Sequence, residues 1–205
     1  MACGLALLAS GQAFAATFAT KESPTTITSA GDLSDPTKWV NSSCGGSTLT
    51  TVNITNADMI IICSGDSLNL STTVTLEAAT IKFFGGTWGG TGLKFAGAGG
   101  FKTIINVGGT TKTFALDLSA MTAGTDSIAI GEESGLPSSG VTFSSITPNT
   151  KGLDCGGGAY SPGTPIAAGT TCTVTVAIVL PTPPAVSAPI FSTKEKPAVF
   201  SEEVK

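Results

Sequence analysis

The sequence predicts an all-β protein. Short runs rich in Val, Ile, Thr and Phe recur along the chain, separated by Gly, Asn, Asp or Ser, which is typical of strands and turns. The 205 residues include 26 Gly and 41% hydrophobic residues, so the chain can bury a core but must turn often. Long helical stretches of Ala, Leu, Glu and Lys are missing.

Composition argues against several classes of function. The chain has no His, and its ten basic residues are all Lys, so it offers neither an imidazole base nor a guanidinium fork for phosphate. Its net charge of −4 argues against a nucleic-acid partner. A nucleotide-binding loop and the Gly-x-Ser-x-Gly nucleophile motif are absent. We therefore expect no enzyme activity and no cofactor.

The N-terminus predicts export. Residues 4–10 form a short apolar run, and Ala13-Phe14-Ala15 follows as a small-x-small cleavage pattern. We interpret residues 1–15 as a signal peptide; a buried N-terminal strand or helix is the alternative. No later segment reaches the length of apolar sequence that crosses a bilayer, so we expect a secreted or cell-surface protein with no transmembrane segment in the mature chain.

Residues 16–109 are predicted to form the first β domain, either solenoid-like or a sandwich. Its candidate strands have nearly even spacing, which suits the coils of a solenoid because each coil buries its face only against its neighbours. They are Thr51–Ile54, Met59–Cys63, Ser67–Leu70, Thr73–Leu76, Thr80–Phe84, Gly92–Ala96 and Lys102–Val107.

Three motifs in this half carry a resemblance. They are Gly31-Asp32-Leu33-Ser34-Asp35-Pro36-Thr37-Lys38-Trp39, Gly65-Asp66-Ser67-Leu68-Asn69-Leu70 and Gly85-Gly86-Thr87-Trp88-Gly89-Gly90-Thr91-Gly92. Residues 25–109 resemble the opening coils of bacterial surface β-solenoid repeats. The resemblance implies valine- and glycine-rich coils on a bacterial surface protein.

Residues 110–181 are predicted to form a second domain. Strand candidates are longer here, and in the last of them Cys172, Val174, Val176 and Ile178 share one face. The alanine-glycine turn before the Cys-x-Val-x-Val strand, together with Gly152-Leu153-Asp154-Cys155-Gly156, resembles Ig-like domains of the abnormal-spindle/hydin type. The resemblance implies a small β-sandwich that acts as a spacer or binding module and has no catalytic residues.

Four cysteines form two local pairs, Cys44 with Cys63 and Cys155 with Cys172. Each pair closes a short loop in a different half of the chain, which predicts two disulfides and an oxidising compartment. Zinc binding is the alternative, but the pairs lie far apart in sequence and contain no Cys-x-x-Cys spacing. We expect no metal site.

Acidic residues are the candidates for calcium binding or hydrolysis. Four aspartates lie in turn-like sequence but lack the order of a calcium loop, so we interpret them as turn residues bonded to local backbone amides. They are Asp32, Asp35, Asp58 and Asp66. Glu132 and Glu133 leave a carboxylate-based glycan hydrolase open as an alternative, although adjacent residues on a strand face opposite ways.

Aromatic residues suggest a carbohydrate-stacking alternative. Trp39, Trp88, Phe83 and Phe84 are the candidates, and core packing is the competing role of each. Trp88 is preferred as the ligand contact, because the Gly pairs that flank it suggest a turn from which its ring protrudes.

Residues 182–205 are predicted to form a proline-rich tail or assembly arm. Proline removes the amide that a strand ladder needs, and the tail has no core of its own. Its apolar pairs Ile190-Phe191 and Val199-Phe200 are the candidate assembly contacts with this protein, a partner or another copy.

The sequence thus predicts a secreted structural or adhesive protein of the cell surface. A self-assembling subunit of an extracellular fibre or matrix is the extended form of this hypothesis, with self-association or other surface proteins as partners. A carbohydrate-binding adhesin, with glycan partners, and a glycan hydrolase are the alternatives.

Overall fold

The computed structural model describes residues 16–21, 24–55, 57–70, 74–76, 78–89, 93–95, 101–108 and 110–177, and the regular secondary structure of these residues is almost entirely β. In chain order the first elements are β1 (Thr17–Thr20), β2 (Thr26–Ile27), α1 (Ala30–Ser34), a 3-10 turn (Pro36–Lys38), β3 (Trp39–Asn41), β4 (Met59–Cys63), β5 (Ser67–Leu68), β6 (Val74–Leu76), β7 (Thr80–Phe84) and β8 (Thr87–Trp88). They continue with β9 (Leu93–Phe95), β10 (Phe101–Val107), β11 (Lys112–Asp117), β12 (Ser127–Gly131), β13 (Val141–Thr147), β14 (Lys151–Asp154), β15 (Pro165–Ile166) and β16 (Thr171–Val176). The all-β prediction is confirmed.

Two predicted segments lie outside the described residues, and one predicted strand does not form. The proposed signal peptide, residues 1–15, and the tail, residues 182–205, lie outside the described residues. The predicted strand Thr51–Ile54 is not a strand in the structure. Val52 and Ile54 instead pack, half-buried, against the core. The alternation of apolar residues in this segment thus reflects side chains that pack against the core, although the segment is not a strand.

The strands form three sheets that the chain visits in turn. Sheet A has the order β14-β16-β12-β10-β7-β4-β1-β3, sheet B the order β2-β5-β8, and sheet C the order β15-β13-β11-β9-β6. Strands β4, β5 and β6 make one circuit through the three sheets, and β7, β8 and β9 make the next. Neighbouring circuits pair in parallel. We call each circuit a coil.

Isoleucines align across the coils of sheet A. Ile60 on β4 faces Ile81 on β7, which faces Ile104 on β10, which faces Ile130 on β12. All four side chains are buried in one core. Stacking of β-branched side chains on neighbouring strands is what favours them in sheets, so this row sets the register of the coils.

The predicted boundary near Gly109 does not separate two cores. Strand β10 pairs with β12 in sheet A, and β11 pairs with β9 in sheet C, so both sheets continue across this position. One cluster of buried residues extends from Phe18 to Val174. The proposed domains 16–109 and 110–181 therefore share a single β body in the described part of the chain.

The second half also differs from the predicted Ig-like sandwich. An Ig-like domain is built of antiparallel strands, whereas β11 pairs with β13 in parallel. Antiparallel pairing occurs where β16 meets β12 and β14, and where β15 meets β13. The alternating pattern in the sequence identified the strands, but it carries no information about the direction of their partners.

Caps cover both ends of the coils. At the N-terminal end, α1 lies beside Trp39, whose indole is fully buried and donates a hydrogen bond from Nε1 to the carbonyl of Asp32 at 2.8 Å. At the other end, the antiparallel strands β14, β15 and β16 follow the last parallel pair. Caps of this kind cover sheet edges that would otherwise pair with another chain.

The two predicted disulfides are present, one at each cap. Cys44 in the loop after β3 is bonded to Cys63 at the end of β4, with an S–S distance of 2.00 Å. Cys155 after β14 is bonded to Cys172 on β16, with an S–S distance of 2.03 Å. The first bridge thus ties the N-terminal cap to β4, whereas the second joins two parts of the C-terminal cap.

A row of aromatic rings runs through the core. Trp88 lies 4.9 Å from Phe114 between ring centroids, Phe114 lies 6.2 Å from Phe143, and Phe143 lies 5.9 Å from Tyr160. Phe83 approaches Phe114 at 5.8 Å from the opposite wall. These spacings suit favourable aromatic contacts, and the row links sheets A, B and C to the C-terminal cap.

We expect Phe114→Ala to lower the free energy of unfolding by about 3–5 kcal/mol, because it leaves a cavity at the centre of this row. Urea unfolding followed by circular dichroism measures the change. Leu136→Ala is the control, since Leu136 is 43% exposed, and it should change stability far less. Equal losses in the two variants would contradict a central role for the aromatic row.

Candidate functional site

The outward face of sheet A presents an exposed aromatic ring at the end of β7. Strand alternation directs Ile81 and Phe83 into the core and leaves Lys82 and Phe84 on the outside. The side chain of Phe84 is 40% exposed. Among the described residues, Leu136 and Val176 are the other large hydrophobic side chains with comparable exposure.

Two loops stand on either side of Phe84. Loop 42–48 follows β3 and is fixed by the Cys44–Cys63 disulfide and by a hydrogen bond from the Asn41 amide to the Ser47 carbonyl at 2.9 Å. Loop 132–140 joins β12 to β13 and carries Leu136.

Backbone hydrogen bonds tie the second loop to the end of β10. The Gly108 amide donates to the carbonyl of Pro137 at 3.2 Å, and the Ser139 amide donates to the carbonyl of Asn106 at 2.8 Å. Both walls are therefore anchored to the sheet beneath them.

The surface between the loops is concave and apolar. A cavity of about 350 Å³ is lined by Ser64, Phe84, Gly85, Val107, Leu136 and Pro137, among others. A second cavity of about 190 Å³ is lined by Ser43, Cys44, Ile61, Lys82 and Phe84. Since Phe84 belongs to both, we describe them together as the Phe84 groove. Concave apolar surfaces with a few polar groups at the edge are typical of binding sites.

One ion pair lies beside the groove. Lys82 Nζ is 2.7 Å from Glu133 Oε1, and it lies 5.3 Å from the centroid of the Phe84 ring, within the range of a cation–π contact. Because the ammonium is paired with a carboxylate, the groove carries little net charge. This geometry suits an apolar side chain better than an ionic ligand.

Trp88, the preferred ligand contact, is half-buried on the two-residue strand β8. Its ring packs against Phe114 and approaches Phe83 at 6.4 Å. Trp39 and Phe83 are buried in the core, so neither presents a stacking surface. A glycan contact at Trp88 stays a prediction, and any substitution there also perturbs the core.

Asp32, Asp35 and Asp58 accept hydrogen bonds from local backbone amides, as predicted. Asp66 differs, because its side chain accepts from Thr20 and Thr25, more than forty residues away. Asp32 accepts from the amides of Thr28 and Ser29, and Asp35 accepts from that of Thr37. Asp58 and Asp66 also bond between distant segments: they accept from the amides of residues 16 and 25, respectively. The two buried aspartates thus join the first strands to later coils, which the sequence alone did not reveal.

In the described part of the chain, no three His, Cys, Asp or Glu side chains come together to hold a metal ion. Glu132 and Glu133 lie in the loop after β12, and Glu133 is engaged by Lys82. The candidate assembly contacts Ile190, Phe191, Val199 and Phe200 lie outside the described residues.

The sequence offers Phe84 as one of four aromatic candidates for ligand contact, and Trp88 is preferred among them. The available signal was the pair Phe83-Phe84 within a strand, since adjacent residues face opposite sides of a sheet and only one of the two can enter the core. Glu133 and Leu136 carried no such signal, because they lie 49 and 52 residues after Phe84 in the sequence. Lys82 carried none either, since its partner Glu133 is 51 residues away.

Asp32 generates a prediction about pH. Partial burial alone would raise the pKa of its carboxyl, but hydrogen bonds from Thr28 and the ion pair with Lys38 at 2.9 Å outweigh burial and hold the pKa well below its usual range. A carboxyl with a lowered folded-state pKa stabilises the protein above its unfolded-state pKa of about 4, and this stabilisation is lost as the pH falls.

We therefore expect Asp32→Asn to be less stable than the unmodified protein at pH 7, with a difference that shrinks as the pH falls from about 5 toward 2. Urea unfolding of both proteins at a series of pH values measures it. The remaining carboxylates are common to both proteins, so the difference isolates Asp32. A difference that stays constant down to pH 2 would contradict the prediction.

Comparison with known proteins adds no relative. No family model, no curated protein and no solved structure matches the chain. Within the described residues, no helix is long and apolar enough to cross a membrane. The interpretation of the Phe84 groove therefore depends on its geometry.

Proposed function

We propose that the protein is a secreted structural or adhesive protein of the cell surface. The observation that carries this proposal is the presence of one disulfide at each cap: Cys44–Cys63 ties the N-terminal cap to β4, and Cys155–Cys172 joins β16 to the loop after β14 within the C-terminal cap. Disulfides persist in oxidising compartments, and this placement protects the two ends from which a stack of coils would fray. A body stapled in this way suits a permanent scaffold outside the cell.

The surface chemistry supports the same role. Only 12% of the residues are charged, and His and Arg are absent. The concave site on sheet A is apolar, with its one nearby ammonium paired to Glu133. Such a site favours contacts with another polypeptide segment over the binding of a charged metabolite.

The resemblance to bacterial surface β-solenoids adds to the proposal. The chain follows parallel coils through sheets A, B and C, which is the path that the resemblance implies for the first half. We infer a bacterial surface protein on this basis. Self-association through the ends of the coils is opposed by the caps, so assembly into a fibre or matrix would use the proline-rich tail instead.

Location is tested on intact cells of the source organism. We expect an antibody to detect the protein on the cell surface or in the medium, and external protease to remove the surface fraction. Mass spectrometry of the purified native protein should find the four cysteines oxidised. A protein confined to the cytoplasm with free thiols would contradict the proposal.

The structural role of the disulfides is tested by removing each pair. We expect Cys44→Ser with Cys63→Ser, and separately Cys155→Ser with Cys172→Ser, to lower the free energy of unfolding by about 3 kcal/mol each, from the loss of loop constraint in the unfolded chain. The separations of 19 and 17 residues are nearly equal, so each double variant is a matched control for the other. No loss in either variant would show that the bridges do not stabilise the caps.

A further inference from the structure

The Phe84 groove has the properties of a docking surface for an apolar segment. Phe84 and Leu136 are 40% and 43% exposed, and they face the same cavity of about 350 Å³. Both walls are anchored to sheet A, one by a disulfide and the other by backbone hydrogen bonds. A preformed apolar pocket of this kind binds an aromatic or aliphatic side chain without ordering its own walls.

The described chain ends on the same sheet as the groove, and the strand register gives the distance between them. Thr171 faces Ala129, which faces Thr103, which faces Thr80. These four residues lie side by side on neighbouring strands. Because β16 runs antiparallel to β12, its last residue, Val176, lies five residues from this row in one direction, whereas Phe84 on β7 lies four residues from it in the opposite direction.

At about 3.3 Å per residue along the strands and about 4.8 Å between neighbouring strands, the end of β16 is roughly 33 Å from Phe84. A segment of the tail that reaches the groove must cover this distance from Ala177, the last described residue. Proline occurs four times between Ala177 and Ile190, which favours extended backbone with about 3.1 Å per residue. Ile190, thirteen residues after Ala177, is therefore at a reach of roughly 40 Å.

The first apolar pair of the tail thus matches the span. Residues 178–180 are apolar but much too close to the end of β16, while Val199-Phe200 lies more than twenty residues away and would need a slack chain. We propose that Ile190-Phe191 docks in the Phe84 groove of the same chain. A tethered segment of this length is present at an effective concentration of about millimolar, so even a weak contact is occupied.

This inference concerns a contact within the chain and does not depend on where the protein is located. It gives the tail a role that competes with its use as an assembly arm, because a docked Ile190-Phe191 is not free to join another copy. The two roles make opposite predictions about which molecules come into contact.

Photo-crosslinking in the full chain tests the contact. Phe191 is replaced by p-benzoylphenylalanine, the monomer is irradiated at low concentration, and the products are mapped by mass spectrometry. We expect intramolecular crosslinks to peptides that contain Phe84 or Leu136. The same replacement at Phe200 should give a weaker and more scattered pattern.

Groove variants make the test specific. Phe84→Ser should reduce the Phe191 crosslinks to the groove at least about tenfold, because it removes the aromatic floor. Val176→Ser is the matched control, since Val176 is 69% exposed and lies outside the groove, and it should leave the yield nearly unchanged. Circular dichroism confirms that both variants are folded.

Three outcomes would overturn the inference. Crosslinks that join two molecules instead of one would assign the groove to the tail of a second copy. A yield that Phe84→Ser does not change would place the tail elsewhere. Saturable, Phe84-dependent binding of a glycan to the full chain, with no crosslink to the tail, would assign the groove to carbohydrate.

Discussion

The in-register parallel pairing of sheet A is the constraint on which the rest of the structure depends. Ile60, Ile81, Ile104 and Ile130 meet across four strands, and their burial aligns every coil with the next. Side chains alternate with a period of two, so a slip of one residue in β7 would bury Lys82 and Phe84 and expose Ile81 and Phe83. The position of Phe84 outside the core is thus a direct consequence of the isoleucine row.

A stack of parallel coils has exposed ends, and its corners contain backbone polar groups that need hydrogen-bond partners. In this protein, specific side chains serve both needs. Trp39 and the strands after β13 cover the ends, and the disulfides fix these covers. At the corners, Asp58 and Asp66 accept hydrogen bonds from the backbone amides that directly precede β1 and β2. Lys151 Nζ donates hydrogen bonds to the carbonyls of Leu118, Ser119 and Met121. Buried polar groups must be paired in this way, because each unpaired group would cost about 1–3 kcal/mol.

One of these covers also forms a wall of the candidate site. Loop 42–48 lies at the N-terminal cap and loop 132–140 joins β12 of sheet A to β13 of sheet C, yet both stand over the outer face of sheet A, with Phe84 between them. The Cys44–Cys63 bridge that secures this cap also fixes one wall of the groove, so the stability of the cap and the shape of the candidate site are coupled. The proposed docking of Ile190-Phe191 would cover this site with the chain's own tail.

The sequence by itself determined the all-β class, the two disulfide pairs, several strand positions and the role of Asp32 and Asp35 as turn residues, because each of these depends on local spacing or local hydrogen bonds. Met59–Cys63 and Thr80–Phe84, for example, are strands with the predicted bounds. Only the tertiary structure decided which strands are neighbours: it joined the two predicted domains into one core, made β11 and β13 parallel, and turned Trp88 toward Phe114. It also brought Leu136 and Glu133 to Phe84. Alternation tells which residues share a face of a strand, but the partner of that face is chosen by packing between segments far apart in the chain.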